Sequence, residues 1–133
     1  MHILKKPIKI AMIAHDGKKA DMVSFVMKRL EFFTSESVDV IATGTTGKHL
    51  IHAGLKNVHT MLSGPMGGDA QIASMITKNQ IDAVIFFIDP LEAHPHQVDV
   101  NMLLRICNVH DVPLATNYRT GKMIIDSLES SLG

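Results

Sequence analysis

Cysteine is almost missing: Cys107 stands alone in 133 residues, which excludes an internal disulfide and any cysteine-based zinc site and points to a reduced compartment. Aromatic residues make up only 5%, and Lys plus Arg and Asp plus Glu each total 13, so neither a stacking platform nor a general positive field for nucleic acid is present. Any anion site must therefore be local. No uninterrupted apolar stretch approaches membrane-spanning length, and the basic segment Met1 to Lys6 leads into Pro7 and a strand-like run rather than a signal-type apolar core. Repeats, linkers and low-complexity tracts are absent too. These absences predict a cytoplasmic protein with no nucleic-acid and no membrane partner.

What remains, 46% hydrophobic and 20% charged, suits a single compact domain over residues 1–133. Ile8 to Ala14 is almost wholly apolar and too short for a helix, and it empties into His15-Asp16-Gly17, the pattern of a strand buried on both faces of a parallel sheet. Val38 to Ala42, Ala83 to Ile88 and Leu114 to Thr116 read as further strands, and so does Val58 to Leu62, which includes His59 and Thr60 but leads straight into the Ser-Gly-Pro loop. Between them, apolar residues recur at helical spacing over Lys19 to Phe33, Lys48 to Ala53, Asp69 to Lys78, Asp99 to about Val109, and Thr120 to Leu128. Leu91 to Val98, with two prolines and two histidines, is expected to be irregular. Alternation with short connections predicts an α/β fold: one doubly wound domain of about five mostly parallel strands with helices on both faces. The nine methionines fall mostly within apolar patterns and read as core filling.

In such a sheet, ligands bind beyond the carboxyl ends of the strands. The polar segments that follow strands are His15-Asp16, Thr43 to Gly47, Ser63 to Asp69 and Asp89 to Asp99, and one site could collect them all. Thr43-Gly44-Thr45-Thr46-Gly47 offers three hydroxyls and several N–H groups ahead of a helix, where partial positive charge favours phosphate. A tight turn with a threonine cap would have the same residues. The following Lys48 gives a superficial likeness to a nucleotide-binding P-loop, but the glycines are too close and His49 stands where Ser or Thr would hold magnesium. Ser63-Gly64-Pro65-Met66-Gly67-Gly68-Asp69 lets backbone approach a ligand closely and ends in a carboxylate that could be a catalytic base or a helix cap. Lys19 could balance a phosphate's charge. His94 and His96 alternate along the proline-containing segment, and His49 and His52 could share a helix face, yet neither pair has a third ligand at zinc-like spacing.

In chain order, "AHD" with Lys19, "ATGTTG", "SGPMGGD", "FFIDPL", "PHQVDV" and "ATN" resemble the motifs of the methylglyoxal synthase family over nearly the whole chain, and the second followed by the third is highly specific. The resemblance implies elimination of phosphate from dihydroxyacetone phosphate to give methylglyoxal, with no metal or organic cofactor. By motif, it makes Asp69 the base, gives His96 the substrate carbonyl, and places Lys19, Thr43, Gly44, Thr45, Thr46, Ser63 and Gly64 around the phosphate. His15 would contact substrate, while Asp16, Asp89 and Asp99 would tune the proton transfers. Val98 departs from the family's usual proline, and the chain ends at Gly133 without the basic tail of some members. Homohexamers and inhibition by phosphate are further implications of the family. Similar domains also serve as regulatory parts of carbamoyl phosphate synthetases, so the alternative is a non-catalytic phosphate-sensing module. A bare nucleotide-binding domain lacks its glycine fingerprint here.

Overall fold

A computed structural model describes residues 6–63, 66–91 and 100–132. Among them, five strands form one sheet: β1 (Ile8–Ala14), β2 (Val38–Ala42), β3 (Val58–Thr60), β4 (Ala83–Phe87) and β5 (Leu114–Ala115), in the order β3-β2-β1-β4-β5. Every described pairing is parallel, with Ile8 opposite Val38 and Ile10 opposite Ala83. The helices are α1 (Lys19–Met27), α2 (Leu30–Phe33), α3 (Gly44–His52), α4 (Gly68–Thr77), α5 (Val100–His110) and α6 (Tyr118–Leu132).

Side chains alternate across β1, so its two faces feed two cores. Ile10, Met12 and Ala14 pack with Met22, Phe25, Leu50 and Ile125 under α1, α3 and α6. Ala11 and Ile13 pack with Ile72, Ile76, Leu103 and Cys107 under α4 and α5. The doubly wound expectation is met, and the central strands are apolar on both faces because both are covered. Burial raises the Cys107 thiol above its ordinary pKa, in keeping with a packing role.

The third strand ends at Thr60 rather than Leu62 and the last helix runs on to Leu132 rather than Leu128, and three further boundaries depart from expectation for a visible local reason. The helix expected over Lys19 to Phe33 breaks at Lys28–Arg29. Arg29 lays its guanidinium over the Phe25 ring at 4.5 Å and donates from Nη1 to the Phe25 carbonyl, while the Arg29 N–H turns to Val26 instead. The side chain thus occupies the acceptor that the fourth-residue helical bond would use. The helix expected from Lys48 begins four residues earlier, because the Thr43 carbonyl accepts the Gly47 N–H at 2.7 Å and closes a first turn. The last helix starts at Tyr118 rather than Thr120, capped by Asn117 Oδ1 accepting the Thr120 N–H.

Asn57 ties this scaffold together where the chain enters β2. Its Nδ2 donates to the Phe33 carbonyl at 2.8 Å and the Val38 carbonyl at 2.6 Å. Asn57→Ala strips both acceptors at once and is expected to cost about 1–3 kcal/mol. In urea unfolding, the midpoint should fall with little change in slope.

Candidate active site

The carboxyl edge of the sheet gathers the polar segments into two clusters joined at the end of β1. The first cluster surrounds His15, which is only 6% exposed. Its ring meets Phe86 edge-on with centroids 5.2 Å apart, and Nδ1 accepts the Asp89 N–H at 2.9 Å. That bond places the proton of the neutral ring on Nε2. The Nε2 atom is buried and has no hydrogen-bond partner among the described residues, so it is a donor available to a ligand. Lys19 Nζ binds the Asp16 carboxylate and the Ala14 carbonyl, and its side chain is 11% exposed where that of Asp16 is 86% exposed. Asp89 packs its carboxylate against Gly17, so β1 and β4 bring together residues 74 apart in sequence.

The second cluster is formed by the start of α3 and the chain leaving β3. Gly44 donates to the Leu62 carbonyl at 3.1 Å, and a β-carbon on Gly44 would stand 3.1 Å from the Ser63 nitrogen. Glycine here serves close approach, and its helical backbone needs no unusual angle. Between the two segments lies a cleft of about 370 Å³ lined by Gly44, Thr45, Lys48, Leu62, Ser63 and Met66. Thr45 is exposed toward solvent, while Thr43 and Thr46 are buried at 2% and 1% exposure. Asp69 is the second residue of α4, partly buried, with Oδ1 accepting the Ala70 N–H at 2.9 Å. Gly67, at φ 99°, turns the chain into that helix.

The clusters meet through Thr46, whose Oγ1 accepts the Ala14 N–H at 3.2 Å. His15, Asp16, Lys19, Asp89, Thr43, Gly44, Thr45, Thr46, Ser63 and Asp69 therefore all lie along one edge. Gly64, His94, His96 and Asp99 lie outside the described residues. His49 and His52 are exposed on α3. No group of three metal-ligating side chains occurs among the described residues.

Two contributors carried little sequence signal. Gln71 Oε1 accepts the Leu62 N–H at 2.7 Å and so pins the approach to Ser63, although nothing in its position along α4 announces this. Gly68 lies against the Leu62 carbonyl, a closeness for which the doubled glycine before Asp69 was the available hint. A cleft of about 410 Å³ beyond β4 and β5 is larger, but Phe87, Ile88, Pro90 and Tyr118 give it a largely apolar wall and it shares no residue with the clusters above.

A parallel sheet with a buried imidazole donor, a lysine and a helix start at its carboxyl edge defines an α/β domain suited to a small anionic ligand. The MGS-like domain model matches residues 22–116, and the chain belongs to that family. It is 47% identical over 121 residues to methylglyoxal synthase of Carboxydothermus hydrogenoformans, covering 91% of this chain and 98% of that one. With methylglyoxal synthase of Bacillus mycoides the identity is 51% over 122 residues, or 92% of each chain. The crystal structure of methylglyoxal synthase from Elizabethkingia anophelis superimposes with a TM-score of 0.85 at 45% identity, over 92% of this chain and 79% of that one.

Proposed function

We infer that the protein is a methylglyoxal synthase, a lyase that removes a proton from dihydroxyacetone phosphate and expels phosphate to form methylglyoxal. The observation that carries this reading is the meeting of the α3 start with the Ser63 segment, where Gly44 donates to the Leu62 carbonyl and Gly68, the residue before Asp69, packs against the same carbonyl. Phosphate would lie against Thr45, Ser63, Gly64 and the N–H groups of the α3 start, with Thr43 and Thr46 behind them and Lys19 supplying charge. Asp69 takes the proton from the hydroxymethyl carbon. The C–H electron pair becomes the double bond of an enediolate, whose oxygen is met by donors from His96 and His15 Nε2. A proton passes from the hydroxyl of the former hydroxymethyl carbon to the former carbonyl oxygen, collapse from the hydroxyl's oxygen sends the C–O pair out with phosphate, and the resulting enol tautomerises to methylglyoxal. Loss requires the C–O bond to stand across the plane of the π system, so holding phosphate out of that plane directs the outcome. Asp16, Asp89 and Asp99 would adjust the proton transfers.

The same reading places the enzyme in the cytoplasm as one domain, needing no metal or organic cofactor, and inhibited by its product phosphate. No helix among the described residues is long and apolar enough to cross a membrane. Assembly into a homohexamer follows the family resemblance. Leu91, Met66 and Val109, at 94%, 70% and 69% exposure, are surface that subunit contacts would cover.

The test is purified protein with dihydroxyacetone phosphate, following methylglyoxal and phosphate together. Turnover is expected to survive exhaustive chelation, and added phosphate should raise the apparent KM. Activity that vanishes with chelator and returns with metal would overturn the cofactor-free mechanism. Phosphate binding without turnover would favour the sensing module.

A further inference from the structure

We propose that Thr46 is a positioning residue for His15 as well as part of the phosphate wall, coupling the grip on phosphate to the donor that meets the carbonyl. The inference rests on the proposed methylglyoxal synthase activity. Its basis is a gap in the sheet. Along a strand, the N–H and C=O of one residue point to the same side and those of the next residue to the other. The His15 N–H reaches the Phe87 carbonyl in β4 at 3.2 Å, so both main-chain groups of Ala14 face β2. There they find no strand, because the pairing of β1 with β2 ends at Met12 and Ala42, and the chain turns through Thr43 into α3.

Two side chains fill the gap. Thr46 Oγ1 accepts the Ala14 N–H at 3.2 Å, and Lys19 Nζ donates to the Ala14 carbonyl at 3.3 Å. Thr43 Oγ1 donates to Thr46 Oγ1 at 3.4 Å, which steadies the hydroxyl from its other side. Ala14 is 5% exposed and Thr46 1%, so water does not substitute for either bond. Lys19 thus holds the peptide group that joins Ala14 to His15 and Thr46 the one before it, so the two bonds together fix the residue that delivers His15. On its far side the imidazole is fixed by Asp89 and Phe86, which leaves the Thr46–Ala14 bond as the link between the ring's placement and the first turn of α3.

Thr46→Val keeps the shape, removes the acceptor and leaves a buried N–H unpaired. The expected result is a kcat lowered about 10- to 100-fold, as for a displaced catalytic donor, by a larger factor than the Kd for inorganic phosphate rises; Thr46→Ser should recover most of the loss. Phosphate affinity falling as far as kcat would make Thr46 simply a ligand, and wild-type kinetics in Thr46→Val would remove its role altogether. Both results overturn the proposal. Should Thr46→Val fail to fold, amide exchange in the wild type and in Thr46→Ser decides: Ala14 must exchange slowly in both, with phosphate present or absent, and fast exchange overturns the coupling. An absence of wild-type turnover defeats the functional reading itself, while the exchange measurement still reports whether the Ala14 link exists.

Discussion

Asp69→Asn is expected to lower turnover of dihydroxyacetone phosphate by about two to four orders of magnitude, the usual loss when a positioned base is removed, and to leave phosphate binding nearly intact. The substitution is close to isosteric, and the Asn amide oxygen can still accept the Ala70 N–H, so the first turn of α4 keeps its local bond. What is lost is the carboxylate's charge and, with it, proton acceptance. Lys19→Ala should fail in another way, because the proposed mechanism takes from Lys19 the charge for the departing phosphate, while its Nζ also binds the Ala14 carbonyl. Its Kd for phosphate should rise along with its loss of kcat. Isothermal titration with phosphate beside steady-state kinetics separates the two, and an equal loss of phosphate affinity in both variants would contradict this division of labour.

Gly68→Ala is the second large effect, and it comes from backbone rather than chemistry. A β-carbon on Gly68 would stand 1.8 Å from the Leu62 carbonyl oxygen and 3.1 Å from that of Ser63, both main-chain atoms that cannot swing aside as a flexible side chain would. The Gly68 N–H also donates to the Ser63 carbonyl at 2.9 Å, so the helix start and the loop must part together. Overpacking of this kind costs about 1–3 kcal/mol, sometimes more, and for a chain of this size that corresponds to a fall in Tm of roughly 4–11 °C. Activity should drop further than stability, since Asp69 is the next residue and Ser63 moves with the loop. Gly67 provides the contrast: nothing lies within 4 Å of its β-position, and its demand is the positive φ of 99°. Gly67→Asn, whose side chain is among the least strained at positive φ, should be milder than Gly68→Ala in both melting and kinetics. Equal effects at the two positions would remove the steric argument.

The fold was legible because its signals are local. Ile10 to Ala14 and Ala83 to Phe87 are continuous apolar runs, and a strand covered on both faces is what so short a segment of that kind suits. The site's location was legible for a related reason, since polar segments that each follow a strand must come out at the same edge of a parallel sheet. Less visible was the state of the Thr-Gly segment. Its glycines look like those of a loop, yet Gly44 and Gly47 are helical, and their missing side chains make room for Ser63 and Thr60 across a contact that no local pattern records. The break at Arg29 was hidden likewise, because it depends on a guanidinium lying back over Phe25 rather than on any helix breaker in the chain.

Sequence alone determined the alternation of strand and helix, the apolar strands and the hydroxyl, glycine, lysine and carboxylate residues that follow the strands and are proposed to meet a phosphate ester. Periodicity and composition act over a few residues and survive any rearrangement of the whole. Which of those residues touch one another was decided by the tertiary structure. The proton on His15 Nε2 depends on the Asp89 amide, 74 residues away, and the placement of Thr46 on Ala14 depends on β2 stopping at Ala42 while β1 runs on. Both are hydrogen bonds between segments that the sheet brings together, and their geometry exists only once the strands are in register.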